Sequence, residues 1–354
     1  MKWSIGGAIF ALVVSSVSAL GQGVTISFQE SPTSLQLSGG GDILLDGNEW
    51  WGVIRAADDL AADFGKVSGT NLLVQIDNVN DKTGVYEYYA PTNHREYIVD
   101  KPSFIKAPEF KTGGGSQNTV IIAGTIGKSR LIDDLVNSGK IDATSIRGQW
   151  EAFTTQIVDH PIPGVTRALV IAGSDKRGTI FGLYDLSEQI GVSPFYWWAD
   201  VPPAKHSQVY ALSTVKVQGS PSIKYRGLFI NDEAPALTNW VDENYEPSPY
   251  GVGFNSRFYS RVFELILRLR GNYLWPAMWG SMFNVDDDQT QPLADAFGIV
   301  MGTSHTEPLL RAKDEWPRYG DGIWQWDIND ENIRPFFKFG VERAKPYEGI
   351  YNLA

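Results

Sequence analysis

From Pro221 onward the chain repeats one unit: a short apolar run, a polar cluster at its end, then an apolar stripe at helical spacing. Tyr225 to Ile230 ends in Asn231-Asp232-Glu233, and Phe258, Val262, Leu265, Ile266 and Leu269 follow as a helix stripe stopped by Gly271. Asn272 to Met278 is a second strand, ending in Trp279. Leu293 to Phe297 is a short helical piece, and Phe297 to Met301 a third strand, ending in Gly302-Thr303-Ser304-His305-Thr306-Glu307. A fourth begins near Gly349. Strands joined by helices run parallel, and the loops beyond their carboxyl ends converge on one mouth, as in a (β/α)8 barrel. Residues 221–354 number 134 and hold four strands, about half of the roughly 250 residues such a barrel takes. The expectation is therefore an incomplete TIM-type barrel over 220–354, cut near its fourth strand. The apolar run Ile350 to Ala354, without cap or turn, predicts a truncated fragment that is inactive by itself.

Before this lies a different pattern. From about residue 20 to Gly219, β-type runs alternate with helical stripes and Gly-rich joints such as Ser38 to Gly41 and Gly113 to Gly115, which predicts an N-terminal α/β supporting domain over 20–219. Val53, Ile54, Ala57, Leu60, Ala61 and Phe64 mark a helix with Gly65 at the C-cap position. Thr119 to Gly124 is a buried strand leading to a helix through Ile132, Leu135 and Val136, closed by Gly139. Ala168 to Gly173 and the stripe Ile180, Leu183, Leu186, Ile190 repeat the unit, ending at Gly191. Gly127-Lys128-Ser129 imitates the end of a phosphate loop, but the glycine required five residues earlier is Ile122. The glycines then serve tight strand-to-helix turns, with Asp175, Lys176 and Arg177 solvated or salt-bridged to a neighbour.

Residues 1–19 read as a secretory leader: Lys2, the apolar run Ile5 to Val14, and Val17 and Ala19 placed for cleavage after Ala19. No later run is long enough to cross a bilayer, so an extracellular protein with no membrane association after leader cleavage is expected. A net charge of −11 argues against nucleic acid as a partner. With no cysteine, disulfides, zinc–thiolate sites and a thiol nucleophile are excluded. No cofactor is expected, and no metal: Asp286-Asp287-Asp288 lacks the alternation of a calcium loop, and no paired-histidine spacing occurs.

Tyr225-Arg226-Gly227 with Asn231-Asp232-Glu233-Ala234-Pro235, Gly271-Asn272-Tyr273-Leu274-Trp275-Pro276-Ala277-Met278-Trp279, and Gly302 through Pro308 together resemble the core of glycoside hydrolase family 115, the xylan α-1,2-glucuronidases. The likeness extends upstream through Gly173-Ser174-Asp175-Lys176-Arg177-Gly178 and Tyr196-Trp197-Trp198-Ala199-Asp200. The resemblance implies an inverting hydrolase that removes glucuronic acid, or its 4-O-methyl ether, from plant cell-wall glucuronoxylan or its oligosaccharides. A homodimer is allowed for the full-length form. A secreted carbohydrate-binding protein without turnover is the alternative.

Adjacent residues on an extended strand face opposite ways, so only one of Asp232 and Glu233 can face the mouth, and Asp232 is preferred as the catalytic acid or base. The resemblance places further pocket acids on later strands, which leaves Glu307 as second candidate. His305, beside a carboxylate at a strand end, is expected to donate to a sugar hydroxyl or uronate. Six of twelve tryptophans fall in the last 115 residues. Trp275, Trp279 and Trp240 are candidate sugar platforms, with Asn231 and Asn272 as polar contacts. No Arg or Lys stands out on strands one to three to receive the uronate, and Pro335 is expected either to start or to kink the helix over Glu331 to Ala344.

Overall fold

The computed structural model describes residues 23–85, 102–106, 119–248 and 253–353. The leader reading of 1–19, the Gly113 to Gly115 joint and Ala354 lie outside the described residues. In chain order the first half contains β1 (Ile26–Ser27), β2 (Leu35–Gln36), β3 (Asp42–Asp46), α1 (Trp51–Ser68), β4 (Leu73–Asp77), β5 (Ile105–Lys106), β6 (Thr119–Thr125), α2 (Arg130–Asn137), β7 (Phe153–Asp159), β8 (Arg167–Gly173), α3 (Lys176–Gln189), β9 (Tyr210–Ala211) and β10 (Lys216–Gln218). The second contains β11 (Gly227–Phe229), α4 (Leu237–Asn244), α5 (Ser256–Arg268), β12 (Tyr273–Trp275), α6 (Phe283–Asp286), α7 (Thr290–Phe297), β13 (Val300–Met301), α8 (Trp316–Tyr319) and α9 (Trp326–Ala344).

The first half is organised by a seven-stranded sheet in the order β10-β7-β8-β6-β3-β4-β5. Its centre is parallel, while β7 runs antiparallel to β8 and β10 antiparallel to β7. Alternation along the strands assigns the two faces. Ile43, Leu45, Ile121, Ala123, Leu169 and Ile171 enter the main core, whereas Leu44, Ile122, Ala168, Val170 and Ala172 pack with Leu131, Ile132 and Leu135 on the other side. Burial on both faces explains why these strands read as continuous apolar runs.

Helices α1 and α3 pack together on the main-core face, and α5 and α7 pack against them in turn. β1, β9 and β2 form a small antiparallel sheet, and beyond the helices lies the parallel sheet β11-β12-β13, paired Gly227 with Tyr273, Phe229 with Trp275, and Leu274 with Met301. Met301 also bridges Gly349 in parallel, so the fourth strand position begins where the sequence placed it. The strands are shorter than expected, because Phe297 belongs to α7 and the chain turns off β12 after Trp275. One apolar core runs from Ile26 to Met301, linking the two sheets through the four helices.

Charged groups reinforce the same interface. Arg268 of α5 pairs with Asp63 of α1 at 2.7 Å and with Glu264 at 2.8 Å, all of them buried. Burial alone would raise Glu264, but the Arg55 and Arg268 guanidiniums hold its carboxyl down at about 2. A second junction centres on Glu151, whose side chain is 0% exposed. It receives Arg177 at 2.7 Å, Arg226 at 2.6 Å and the Asn272 amide at 2.5 Å. Arg177 also meets Glu348 at 3.0 Å, so it is salt-bridged across the two sheets.

Local corrections have simple causes. Gly65 does not end α1; the helix continues to Ser68, and Gly69 takes the left-handed cap at φ 87°. Gly65 is required instead by close approach, since a Cβ there would stand 1.7 Å from Asn71 Oδ1. Asp175 is half-buried and caps α3, accepting the Gly178 N–H at 2.7 Å. Pro335 lies inside α9, and the break in helical geometry falls at Asn329.

Candidate active site

The carboxyl ends of β11, β12 and β13 are tied to one another by side chains from their own loops. Asp232, two residues past Ile230, is fully buried. Its Oδ1 accepts the Met278 N–H at 2.9 Å and its Oδ2 the Trp279 N–H at 3.1 Å. Burial raises its carboxyl above the usual range, and the two amide donors oppose that shift. Asp232 thus fastens the loop after β11 to the loop after β12. The loop after β13 is fastened in turn by the Ser304 hydroxyl, 3.0 Å from Met278 Sδ.

Glu307 closes the set. It is 1% exposed, and its Oε1 accepts the Lys313 N–H at 3.1 Å. Burial pushes its carboxyl up to about 8, with the Lys313 amide and ammonium pulling the other way. Asp286 is pushed up to about 6, again by burial, against the Met282 N–H that it accepts at 2.7 Å. The Tyr259 hydroxyl accepts the Ala277 N–H at 3.2 Å, and burial first, with Asp232, Asp286 and Glu307 adding to it against that donor, holds it well above its ordinary range. Carboxyls raised to different extents by burial are groups of which one can give a proton and another accept one.

Four of the expected site residues are exposed in the loops that follow these strands. Trp279 is 47% exposed beside Lys313, whose Nζ stands 3.7 Å from the indole centroid. Glu233 and Asn231 are exposed at the end of β11, and His305 is exposed on the loop after β13. Trp275 points across the sheet instead. Its Nε1 donates to the Tyr273 hydroxyl at 2.5 Å and its ring meets Phe229 edge-on at 5.5 Å. Gly302 makes room for this layer, since a Cβ there would lie 2.0 Å from the Tyr273 hydroxyl.

Two expectations are corrected. Asn272 stands before β12, at the opposite end from Trp279, with its amide on Glu151 and on the Lys224 carbonyl and its carbonyl receiving the Arg226 N–H at 2.9 Å. It is a buried junction residue, placed there because the strand runs from Tyr273 to Trp275 and its carboxyl end comes after Trp275. Trp240 sits in α4 within an aromatic cluster, 6.3 Å from Trp197, 6.0 Å from Trp198 and 5.9 Å from Tyr245. The sequence reading missed Lys313, Tyr259 and Asn352. Asn352 donates to the Ser304 carbonyl at 2.5 Å and receives the Thr303 hydroxyl at 3.2 Å. Its position three residues after the Gly349 bridge was the available signal. Among the described residues no three metal-ligating side chains come together, and no helix is long and apolar enough to cross a membrane.

Residues 218–354 match glycosyl hydrolase family 115. A solved structure of a family 115 4-O-methyl-α-glucuronidase, BtGH115A, described as specific for decorated arabinogalactans, is similar at 30% identity and a TM-score of 0.69. The match covers 91% of this chain and 36% of that one, so the chain spans about a third of the length of that relative. A second structure, CpGH84D, has a TM-score of 0.45 and 8% identity over 93% of this chain and 42% of its own, and bears no part of the argument. No curated protein matches. The resemblance to glycoside hydrolase family 115 read from the motifs is thus borne out.

Proposed function

We propose that this chain builds one wall of the active site of a secreted glycoside hydrolase of family 115, which removes glucuronic acid or 4-O-methylglucuronic acid side chains from glucuronoxylan. On this reading β11, β12 and β13, with the position at Gly349, are the first strands of a (β/α)8 barrel, and their carboxyl ends face its mouth. The observation that carries the proposal is the joining of Asp232, Trp279 and Glu307 at the ends of three successive parallel strands. Similarity to a 4-O-methyl-α-glucuronidase supports the sugar, and the leader-like residues 1–19 support secretion.

The chemistry assigns different work to the acids than the sequence ranking did. Glu307, whose carboxyl burial raises to about 8, is suited to protonate the leaving oxygen. Asp232 spends both oxygens on backbone amides and therefore positions Trp279. Glu233, exposed at the same strand end, is the acid of that pair left free to meet a ligand. Inversion needs a second carboxylate about 6.5–9.5 Å from the acid to activate water.

The test uses the full-length protein on glucuronoxylan, aldouronic oligosaccharides and glucuronic acid-decorated arabinogalactan. Release of the free uronic acid, reduced about 100-fold or more in Glu307→Gln, is expected. No release from any of the three substrates overturns the hydrolase reading. A mature N-terminus that retains Met1 overturns secretion by this leader. Binding without hydrolysis is the second reading, favoured by the engagement of both Asp232 oxygens, and predicts retention of glucuronoxylan on a gel with no uronic acid released.

A further inference from the structure

We propose that Lys313 is the group in this chain that receives the carboxylate of a uronic acid whose ring rests against Trp279, so that the pair selects an acidic sugar over a neutral one. The inference rests on reading the mouth as a saccharide site, and goes beyond it by naming the residue that discriminates.

Lys313 is held at both ends. Its main-chain N–H donates to Glu307 Oε1, and its ammonium lies 3.7 Å from the Trp279 ring centroid. Trp279 is itself anchored through its own N–H on Asp232 Oδ2. The two side chains therefore keep a set geometry relative to the two buried acids without touching either carboxylate through the ammonium.

The charge of Lys313 is not neutralised. Among the described residues its Nζ has no carboxylate within 4.0 Å, although Asp314 and Glu315 follow it in sequence. Glu315 is occupied by Arg311 at 2.8 Å and by Arg343 at 3.0 Å. Arg311 in turn is buried, with its guanidinium 3.7 Å from the Phe336 centroid. The ring attracts the ammonium through its quadrupole but supplies no net negative charge, so an incoming carboxylate can still pair with it.

The surroundings make such a cation necessary. The Asp232 carboxylate is fixed on the Trp279 N–H, and the whole chain carries a net charge of −11. A uronate entering this field meets repulsion unless a fixed positive charge stands at its binding position. One face of the indole is taken by the ammonium. The remainder of Trp279, 47% exposed, offers the apolar surface on which a pyranose stacks.

The experiment is calorimetric titration of the chain, at neutral pH and low salt, with methyl α-D-glucuronide and with methyl α-D-glucoside. Wild type is expected to prefer the glucuronide by about tenfold, and the preference to shrink as salt rises. Lys313→Gln should abolish the preference while leaving glucoside affinity within about twofold, Lys313→Arg should retain it, and Trp279→Ala should weaken both sugars. A glucuronide preference that survives in Lys313→Gln overturns the assignment. Equal binding of both sugars by wild type overturns it too, leaving the saccharide reading intact. Binding of neither sugar, with Lys313→Gln and wild type folded alike by circular dichroism, overturns the saccharide reading and the Lys313 assignment together.

Discussion

Replacing Glu151 by glutamine tests whether the two sheets are held by a buried charge cluster or by apolar packing alone. The side chain is 0% exposed and meets Arg177, Arg226 and Asn272 within 2.7 Å. Glutamine keeps the volume but removes the charge, and its amide turns donors toward groups that are donors already. Arg177, 13% exposed, is then left with the Gly298 carbonyl and the partly exposed Glu348 as its one carboxylate among the described residues, while Arg226 keeps carbonyl partners. Loss of one partner from a buried pair costs about 3–5 kcal/mol. At roughly 2 °C per kcal/mol for a chain of this size, the melting midpoint should fall by about 6–10 °C. Glu348→Gln is the internal control: it touches Arg177 at 3.0 Å and the Tyr225 hydroxyl at 3.0 Å, but is 39% exposed. Its removal should cost at most about 1 kcal/mol. Urea unfolding followed by tryptophan emission measures both. If Glu151→Gln costs no more than Glu348→Gln, the junction contributes no more than a surface pair and the reasoning fails.

Stability should fall with rising pH through two carboxyls whose folded values are raised, Glu49 to about 7 and Glu307 to about 8. Each contributes fully below about pH 4.5 and loses its contribution progressively up to its folded value, so in urea titrations Glu49→Gln should flatten the profile between about pH 4.5 and 7, and Glu307→Gln from the same onset to about pH 8. Asp232→Asn sets an amide donor against the Met278 or Trp279 N–H and should cost about 1–3 kcal/mol by the same measurement, while disturbing the Trp279 loop. Gly302→Ala should cost about 1–3 kcal/mol through overpacking against Tyr273 and Trp275, with a change in near-ultraviolet circular dichroism as the signature.

Much of the arrangement was legible in the chain because it is periodic. Apolar alternation and helical stripes marked β6, β8, α3 and α5, and the polar clusters after three apolar runs marked the ends of β11, β12 and β13. What misled was one-dimensional placement. Asn272 sits three residues from Trp275 and shares its segment, yet the direction of a parallel strand puts it at the far end, beside Glu151 from 121 residues earlier. Gly65 looked like a stop because only the position of Asn71 in space shows why a glycine is needed there.

The role of each acid shows the boundary most clearly. Local pattern, through the period of the backbone and the chemistry of strand ends, determined that Asp232, Glu307 and Trp279 would follow parallel strands. Which oxygens were already engaged depended on long-range neighbours. Asp232 meets amides 46 and 47 residues away, and Lys313 lies over an indole that precedes it by a whole βα unit. Desolvation and hydrogen bonding act through distance in space, so only the folded chain decided that the Glu307 carboxyl is raised, Asp232 holds a loop and the Lys313 ammonium lies over Trp279.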